Sequence, residues 1–394
     1  MTTPAKPAID PKAELLAARR PKPVISAKDF VGTGSTLLNL LISGRAKGGY
    51  VKGKYVYVVG DSTSGKTWIT LTCMAEASVN PNFANYTFYH DNVEDGALMD
   101  LEFYFGKKAA DRIRAPSYDA DKNPVYSSTV ESFYYHMDTA IARSHKTGKP
   151  FIYVLDSQDS LDSKAAAAKF QEQKEAFEEG KDTAGSYGDG KAKVHSENIR
   201  RVLQGLRDTN SILIVIGQTR DNLGMGNEKT RSGGKALRFY ASIELWTSVK
   251  ETIKKSVRGK ERTIGTQIII QCKKNRVTGV TGAAVTLPIY NRYGIDDIGS
   301  SIDYLLSEQH WKLQSPAKKV AEDEDDEDDT PETTKKKKAS KIIPAIEFNF
   351  EGTREELIAH IEQAGLEDDL RELVGDVWGE IADASLVRRK PRYA

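Results

Sequence analysis

The sequence predicts an α/β fold: a mostly parallel, twisted sheet with antiparallel edge strands, followed by a small helical C-terminal module. Short runs of β-branched and aromatic residues alternate with segments of helical composition, as in parallel sheets covered on both faces. Three later strand-like runs follow one another with short turns, which favours antiparallel additions at one edge. With 394 residues and a net charge of +1, the chain is long enough for one large core plus an appendage.

The first strand, at 55–59, leads directly into a G-x-x-x-x-G-K-T pattern, which predicts a phosphate-binding loop. The residues expected to surround the phosphates are Gly60, Asp61, Ser62, Thr63, Ser64, Gly65, Lys66 and Thr67. The two glycines let the backbone bend so that several N–H groups point at one anion. The lysine suits the β- and γ-phosphates, and the threonine hydroxyl suits Mg²⁺. Helical composition at 68–77 also places a helix N-terminus at the phosphates.

Three further strands are predicted in the parallel part of the sheet. The strand at 86–90 precedes an acidic cluster that contains Asp91 and Glu94, and the strand at 151–155 ends in Asp156. A carboxylate at a strand end, downstream of a phosphate loop, is suited to hold Mg²⁺ directly or through water. The strand at 212–217 ends in Gln218.

The remaining elements follow from composition and periodicity. Helical patterns at 130–143 and 197–207 precede the third and fourth strands, and the antiparallel strands are expected at 241–249, 266–272 and 284–290. The polar stretch 163–195 shows no sign of a core strand and is either a helix or a loop. Cys73 and Cys272 lie far apart without zinc-site spacing, which indicates a reducing setting.

Several motifs together resemble the RecA-type DNA recombinases over about residues 31–306. The most specific is Gly233-Gly234-Lys235-Ala236-Leu237-Arg238-Phe239-Tyr240-Ala241-Ser242, which follows Gln218-Thr219-Arg220 and a glycine-rich loop. Gly32-Thr33-Gly34-Ser35 and Lys273-Lys274-Asn275-Arg276 add to the likeness. The short N-terminal arm and Gly48-Gly49-Tyr50-Val51-Lys52-Gly53 resemble the bacteriophage branch in particular. The resemblance implies a RecA-like P-loop ATPase core that uses ATP and Mg²⁺.

The resemblance also implies roles for individual residues. Glu94 matches the glutamate that orients the attacking water, with Asp91 as the rival because the local sequence departs from the family's Asp-x-Glu. Gln218 matches the polar sensor of the γ-phosphate, and a strand-end amide there can transmit the nucleotide state to residues 219–232. Lys274 and Arg276 match a basic pair that reaches the ATP of a neighbouring subunit, in the manner of an arginine finger.

Two loops would face DNA according to the same resemblance. In the loop 219–232, Arg220, Lys229 and Arg231 would bind phosphates, and Met225 is one of two apolar residues that could wedge between bases. Gly233 and Gly234 let the backbone approach the strand. The other loop, around 178–195, is polar, glycine-rich and unlike the family's.

The chain is expected to divide into an arm at 1–30, the core at 31–314, a charged linker at 315–343 and a helical module at 344–394. The linker contains eight consecutive acidic residues at 322–329, which is typical of a solvated connection. In the module, Thr353 opens a capping box and Gly365 can close that helix, while later apolar residues share one helical face. That face either packs on the core or docks a partner protein.

These features predict an ATP-dependent recombinase that forms a helical homo-oligomer on single-stranded DNA and pairs it with homologous double-stranded DNA. A ring-forming DNA motor of the same fold, and an ATP-binding coat or scaffold without strand exchange, stay open as alternatives. No apolar run reaches the roughly 18 residues of a membrane span, so no membrane partner is expected. The expected location is the bacterial cytoplasm, including that of a phage-infected cell.

Overall fold

The computed structural model describes residues 25–94, 99–179, 190–221, 229–231, 234–315 and 341–389. Most of the N-terminal arm and of the charged linker therefore lie outside the described residues. Where the structure describes the chain, no helix is both long enough and apolar enough to cross a membrane.

The strands are short except for one long pair near the end of the core. In chain order they are β1 (Phe30–Val31), β2 (Tyr50–Val51), β3 (Tyr55–Gly60), β4 (Thr87–Asn92), β5 (Ile113–Arg114), β6 (Ser117–Tyr118), β7 (Pro124–Val125), β8 (Phe151–Asp156), β9 (Ile212–Asp221), β10 (Lys229–Arg231), β11 (Ile243–Val257), β12 (Lys260–Asn275), β13 (Ala284–Tyr290), β14 (Gly294–Ile295), β15 (Ile343–Ala345) and β16 (Phe350–Gly352).

The helices are distributed along the whole chain, and the last two belong to the C-terminal module. In chain order they are α1 (Thr36–Ser43), α2 (Lys66–Val79), α3 (Leu101–Phe105), α4 (Lys107–Ala110), α5 (Val130–Thr147), α6 (Lys164–Glu178), α7 (Lys191–Thr209), α8 (Gly234–Tyr240), α9 (Asp297–Ser307), α10 (Arg354–Ala364) and α11 (Glu367–Ala384).

One large sheet organises the core and confirms the predicted fold class. Its strand order is β14-β13-β12-β11-β3-β9-β8-β4-β5, with β10 paired to β9. The pairs from β11 to β5 are parallel, and those from β11 to β14 are antiparallel. Along β3, Val56 and Val58 belong to one apolar cluster, whereas Tyr55, Tyr57 and Val59 belong to another. The strand is thus buried on both faces, which explains its continuous apolar sequence.

The structure decides one alternative that the sequence left open, and it differs from the prediction at one pair of strands. Part of the polar stretch 163–195 is the helix α6. Its side chains are largely exposed, so the sequence there lacks the apolar residues of a helix that packs on the core. The antiparallel strands predicted to end at 249 and to begin at 266 extend to Val257 and Lys260. Residues there face solvent on both sides, so the alternation that identifies a half-buried strand is missing.

The C-terminal module packs on the core, which is one of the two alternatives left open by the sequence. Leu357, Ile361, Leu370 and Val374 are buried in the same apolar cluster as the core helices. Arg354 donates two hydrogen bonds to the Asp303 carboxylate, at 2.7 and 2.9 Å. Gln314 and Ile342, on either side of the segment that is not described, are joined by a pair of backbone hydrogen bonds of 2.9 Å.

Trp378 provides a test of this docking. Its ring lies 5.7 Å from the Tyr304 ring of α9, and it is partly buried against the core. We expect Trp378→Ala to lower the free energy of unfolding by about 2 kcal/mol, since it removes a half-buried aromatic side chain. Leu386→Ala, at a 65% exposed position in the same region, is the matched control and should change nothing measurable. Equal urea midpoints for both variants would contradict the docking.

Candidate nucleotide site

The phosphate loop connects β3 to α2, as predicted. Thr63 and Gly65 have positive φ values of 60° and 81°, so the backbone turns sharply before the helix begins at Lys66. A Cβ atom on Gly60 would collide with the Thr247 hydroxyl of β11. Thr247 also contacts the Ser64 hydroxyl at 2.6 Å, so the neighbouring strand supports the loop from behind. The loop is therefore supported by its neighbours. It lies at the N-terminus of α2, where free peptide N–H groups favour an anion.

Lys66 is held inside this loop. Its ammonium group donates to the carbonyl oxygens of Gly60 at 3.0 Å and Asp61 at 2.5 Å. Burial lowers the pKa of Lys66, and the nearby carboxylates of Asp156 and Glu94 oppose that shift. This ammonium group could donate to phosphate oxygens in place of the two carbonyl oxygens.

Thr67 and Asp156 meet across the first turn of α2. The Thr67 hydroxyl lies 2.7 Å from Asp156 Oδ2, and Asp156 is almost fully buried at the end of β8. Both groups offer the hard oxygen donors that Mg²⁺ prefers. His90 Nε2 lies 3.9 Å from the same carboxylate oxygen. The residues present thus fit Mg²⁺ held by Thr67, Asp156 and phosphate oxygens.

Glu94 and Gln218 lie side by side at the same sheet edge. Gln218 donates from Nε2 to Glu94 Oε1 at 2.9 Å. The hydroxyls of Ser157 and Ser160 donate to the same oxygen, the latter at 3.2 Å. Glu94 itself is exposed toward the cavity. The arrangement holds a solvent-accessible carboxylate in one orientation, as a water-positioning group requires.

Asp91, the rival candidate, has a different environment. It is fully buried in β4 and accepts hydrogen bonds from the Ser127 backbone N–H at 2.8 Å and hydroxyl at 2.5 Å. The Tyr153 hydroxyl donates to it at 2.6 Å. The carboxylate is satisfied inside the protein and has no access to the cavity. This geometry favours Glu94 for the water-orienting role.

A cavity of about 590 Å³ opens over the phosphate loop. The sequence did not identify several of its lining residues: Trp68 directly follows the loop, whereas the others come from elsewhere in the chain and are Asn92, Met99, Thr266, Tyr290 and Asn291. Trp68 packs edge-on against Tyr104 at 5.0 Å, and the Tyr104 hydroxyl donates to the Asn291 carbonyl at 3.0 Å. No local motif marks the lining residues that are distant in sequence, because only the folded chain brings them to the loop.

The end of β9 connects the phosphate loop to the predicted DNA loop. The Thr219 hydroxyl donates to Asp61 Oδ1 of the phosphate loop, one residue beyond Gln218. The Gln218 backbone N–H donates to the Asp159 carboxylate at 2.6 Å. Gln218 and Thr219 therefore contact Asp159 and the predicted phosphate loop, respectively, directly before the candidate DNA loop.

The predicted DNA-binding residues are only partly described. β9 and β10 form a short antiparallel ladder in which Arg220 pairs with Thr230 and Arg231 pairs with Thr219. Lys229 pairs with Asp221, so the backbone of these cations leaves the sheet as one hairpin. Gly234 is the first residue of α8. Met225 and Gly233 lie outside the described residues.

Lys274 and Arg276 are not part of the nucleotide cavity of their own chain. Asn275 pairs with Ile243, which lies beside Val56 near the start of β3, whereas the phosphate loop follows the end of that strand. Lys274 donates to the carbonyls of Arg238 at 2.8 Å and Phe239 at 2.7 Å, at the C-terminus of α8. Burial, with the adjacent Arg276 as the second cause, lowers the pKa of Lys274 to about 8.

Comparisons with known proteins support the resemblance inferred from the motifs. Residues 140–296 match the family model of the RecA N-terminal domain. The chain is 27% identical over 281 residues to Protein RecA of Clostridioides difficile, covering 70% of this chain and 69% of the relative. It is 27% identical over 279 residues to Protein RecA of Macrococcus caseolyticus, covering 69% and 67%. It is 27% identical over 286 residues to Protein RecA of Clostridium acetobutylicum, covering 71% and 70%.

The contrast between Glu94 and Asp91 is testable. We expect Glu94→Gln to retain ATP binding and to lower ATP turnover by about two orders of magnitude or more, the scale of a positioning or proton-handling group. Asp91→Asn should instead lower the free energy of unfolding by about 1–3 kcal/mol, because a buried acceptor of three hydrogen bonds is altered. Steady-state hydrolysis and thermal unfolding of both variants separate the roles. A folded, stable Asp91→Asn protein without turnover, beside an active Glu94→Gln protein, would reverse the assignment.

Proposed function

We propose that this chain is an ATP-dependent DNA recombinase that forms a helical filament on single-stranded DNA and promotes homologous pairing and strand exchange. The observation that carries the proposal is the path through β9. Gln218 contacts Glu94 in the nucleotide cavity, and Thr219 contacts Asp61 of the phosphate loop immediately before the candidate DNA loop. A change at either site therefore has a direct route to the other.

The side chains of the cavity take the following roles in this proposal. Lys66 leaves the carbonyls of Gly60 and Asp61 and pairs with phosphate oxygens of ATP. Thr67 and Asp156 hold Mg²⁺, which neutralises negative charge on the phosphates when bound. Glu94 orients the attacking water, and Gln218 keeps that carboxylate in place. The similarity to RecA proteins supports a DNA-dependent ATPase of this kind.

Lys274 and Arg276 act in trans in this proposal. They lie at the end of β3 opposite to the phosphate loop, and neither lines the cavity of its own chain. A neighbouring copy in a filament would bring them to the next nucleotide, so that hydrolysis depends on assembly. The finer assignment to the bacteriophage branch, in the cytoplasm of an infected bacterium, rests on the short arm and the Gly48–Gly53 motif.

Electron microscopy with ATP and single-stranded DNA, paired with a strand-exchange assay, tests the function. An open filament that exchanges strands supports the proposal. A closed ring would favour the motor of the same fold, and a filament that exchanges no strands would favour a coat or scaffold.

The shared site has a complementation test. We expect Lys66→Ala to abolish hydrolysis because it removes the only side-chain cation of the phosphate loop. The double variant Lys274→Ala with Arg276→Ala should bind ATP but lose DNA-stimulated hydrolysis. A mixture of the two proteins should recover part of the activity, since each supplies what the other lacks. The measurement is the rate of phosphate release across mixing ratios. Absence of recovery between folded, co-assembling proteins would argue against action in trans.

The lowered pKa of Lys274 predicts a pH dependence. With a pKa of about 8 the side chain loses its charge as the pH rises through that value, so DNA-stimulated hydrolysis should fall there. Lys274→Arg keeps its charge and should move this decline to higher pH. Lys273→Arg, at the neighbouring position, is the control and should leave the pH–rate profile in place. Superimposable profiles for the unaltered protein and Lys274→Arg would disprove the role of this charge.

A further inference from the structure

A short 3₁₀ turn, Gln158–Ser160, follows β8 and contacts β9 just before the candidate DNA loop. β8 and β9 pair with each other only as far as Leu155 and Val215, whereas β9 continues to Asp221. Backbone N–H groups of β9 that face this side beyond Val215 therefore need an acceptor other than β8. The turn supplies one of these acceptors.

Asp159, in the middle of this turn, provides the acceptor for Gln218. Asp159 Oδ2 accepts the Gln218 backbone N–H at 2.6 Å, a short hydrogen bond of the kind that charged acceptors form. The side-chain amide of Gln158 donates to the same oxygen at 2.9 Å, and Gln158 is almost completely buried. The carboxylate is therefore itself held in place, and it fixes the backbone of β9 at Gln218.

The same segment also holds the partner of the Gln218 side chain. Ser157 and Ser160 donate their hydroxyls to Glu94 Oε1. Gln218 donates from Nε2 to that oxygen at 2.9 Å. The contact between Glu94 and Gln218 is thus fixed from both ends, by the two serines at the carboxylate and by Asp159 at the residue that carries the amide.

Asp159 is in contact with the start of α7 as well. Lys191 Nζ donates to the Asp159 backbone carbonyl oxygen at 3.4 Å. Lys191 belongs to the polar loop around 178–195, the other segment that the sequence predicts to face DNA. Asp159 therefore lies between one residue from each candidate DNA segment: Lys191 on one side, and on the other Gln218, which directly precedes the loop 219–232.

We propose that Asp159 is a positioning residue for ATP hydrolysis. By fixing the backbone of Gln218, it holds the Gln218 side chain against Glu94, and it lets contacts at the two candidate DNA segments alter the orientation of that carboxylate. Asp159 lies outside the described lining of the nucleotide cavity, so it acts through Gln218 and not on the nucleotide. The inference rests on the proposed function, in which Glu94 orients the attacking water.

The test is a double-variant cycle in the full-length protein. Asp159→Ala is made alone and together with Gln218→Ala, and DNA-stimulated ATP hydrolysis is measured in steady state and, for slow variants, in single turnovers. Asp159→Asn keeps an acceptor at the same place. Asp162→Ala is the matched control, because that carboxylate lies in the same segment and is exposed. Thermal unfolding and ATP affinity report whether each variant is folded.

Asp159→Ala should lower kcat at saturating single-stranded DNA by at least about tenfold, since a small displacement of a positioning group is sufficient for such a loss. KM for ATP should stay within about twofold, because the phosphate loop is unaltered. In the Gln218→Ala background the same substitution should lower kcat by less than about twofold, because the side chain that it positions is absent. Asp159→Asn should stay within about threefold of the unaltered protein, since the N–H group keeps an acceptor. Asp162→Ala should match the unaltered protein.

An unchanged kcat for Asp159→Ala, or an equal loss in both backgrounds, overturns the inference, because a residue that only stabilises the fold would act regardless of Gln218. If Asp159→Ala does not fold, Asp159→Glu takes its place in the cycle and the same outcomes decide, since it moves the carboxylate by one C–C bond without removing it. Absence of ATP hydrolysis by the unaltered protein would overturn the proposed function and this role together. DNA-stimulated hydrolysis with equal losses in both backgrounds would overturn the role of Asp159 alone.

Discussion

The parallel register of the central sheet is the constraint on which the candidate site depends. Gly60 of β3 pairs with Gln218 of β9 on one side and with Thr247 of β11 on the other. Asn92 of β4 pairs with Asp156 of β8. Because parallel strands end at a common edge, the predicted phosphate loop, the Asp156 carboxylate and the Gln218 amide come together from separate parts of the chain. The helices and apolar clusters on both faces keep this register fixed.

Burial then divides similar side chains into different roles. Asp91 and Glu94 stand three residues apart, yet one is enclosed by Ser127 and Tyr153 and the other faces the cavity. The enclosed carboxylate ties β4 to β8 and so stabilises the edge at which Asp156 lies. The exposed carboxylate remains available to solvent while Ser157 and Gln218 fix its orientation. A structural role and a candidate catalytic role thus fall on two acidic residues that are close together in the sequence.

The sequence predicted those parts of the fold that leave a local signal. Strands such as β3 and β8 are continuous apolar runs, and the phosphate loop has fixed spacing, so both could be located before the structure was known. The choice between Glu94 and Asp91 could not be made from sequence, because it depends on contacts with Ser127, Tyr153 and Gln218 from other elements. The outer parts of β11 and β12, at 250–264, were missed because strands exposed on both faces lack the alternation produced by a core. Likewise, Tyr290 and Asn291 reach the cavity only when the sheet is assembled.

The backbone contact between Gln314 and Ile342 has an evolutionary consequence. Gln314 and Ile342 flank the acidic segment and are joined by two backbone hydrogen bonds, so the two ends of that segment are fixed next to each other. A longer connection would change stability little, because doubling the number of residues in a flexible loop changes the free energy of loop closure by only about 0.6 kcal/mol. Related chains can therefore gain or lose acidic residues there without altering the packing of α10 and α11. The net charge of the protein can thus evolve almost independently of its fold.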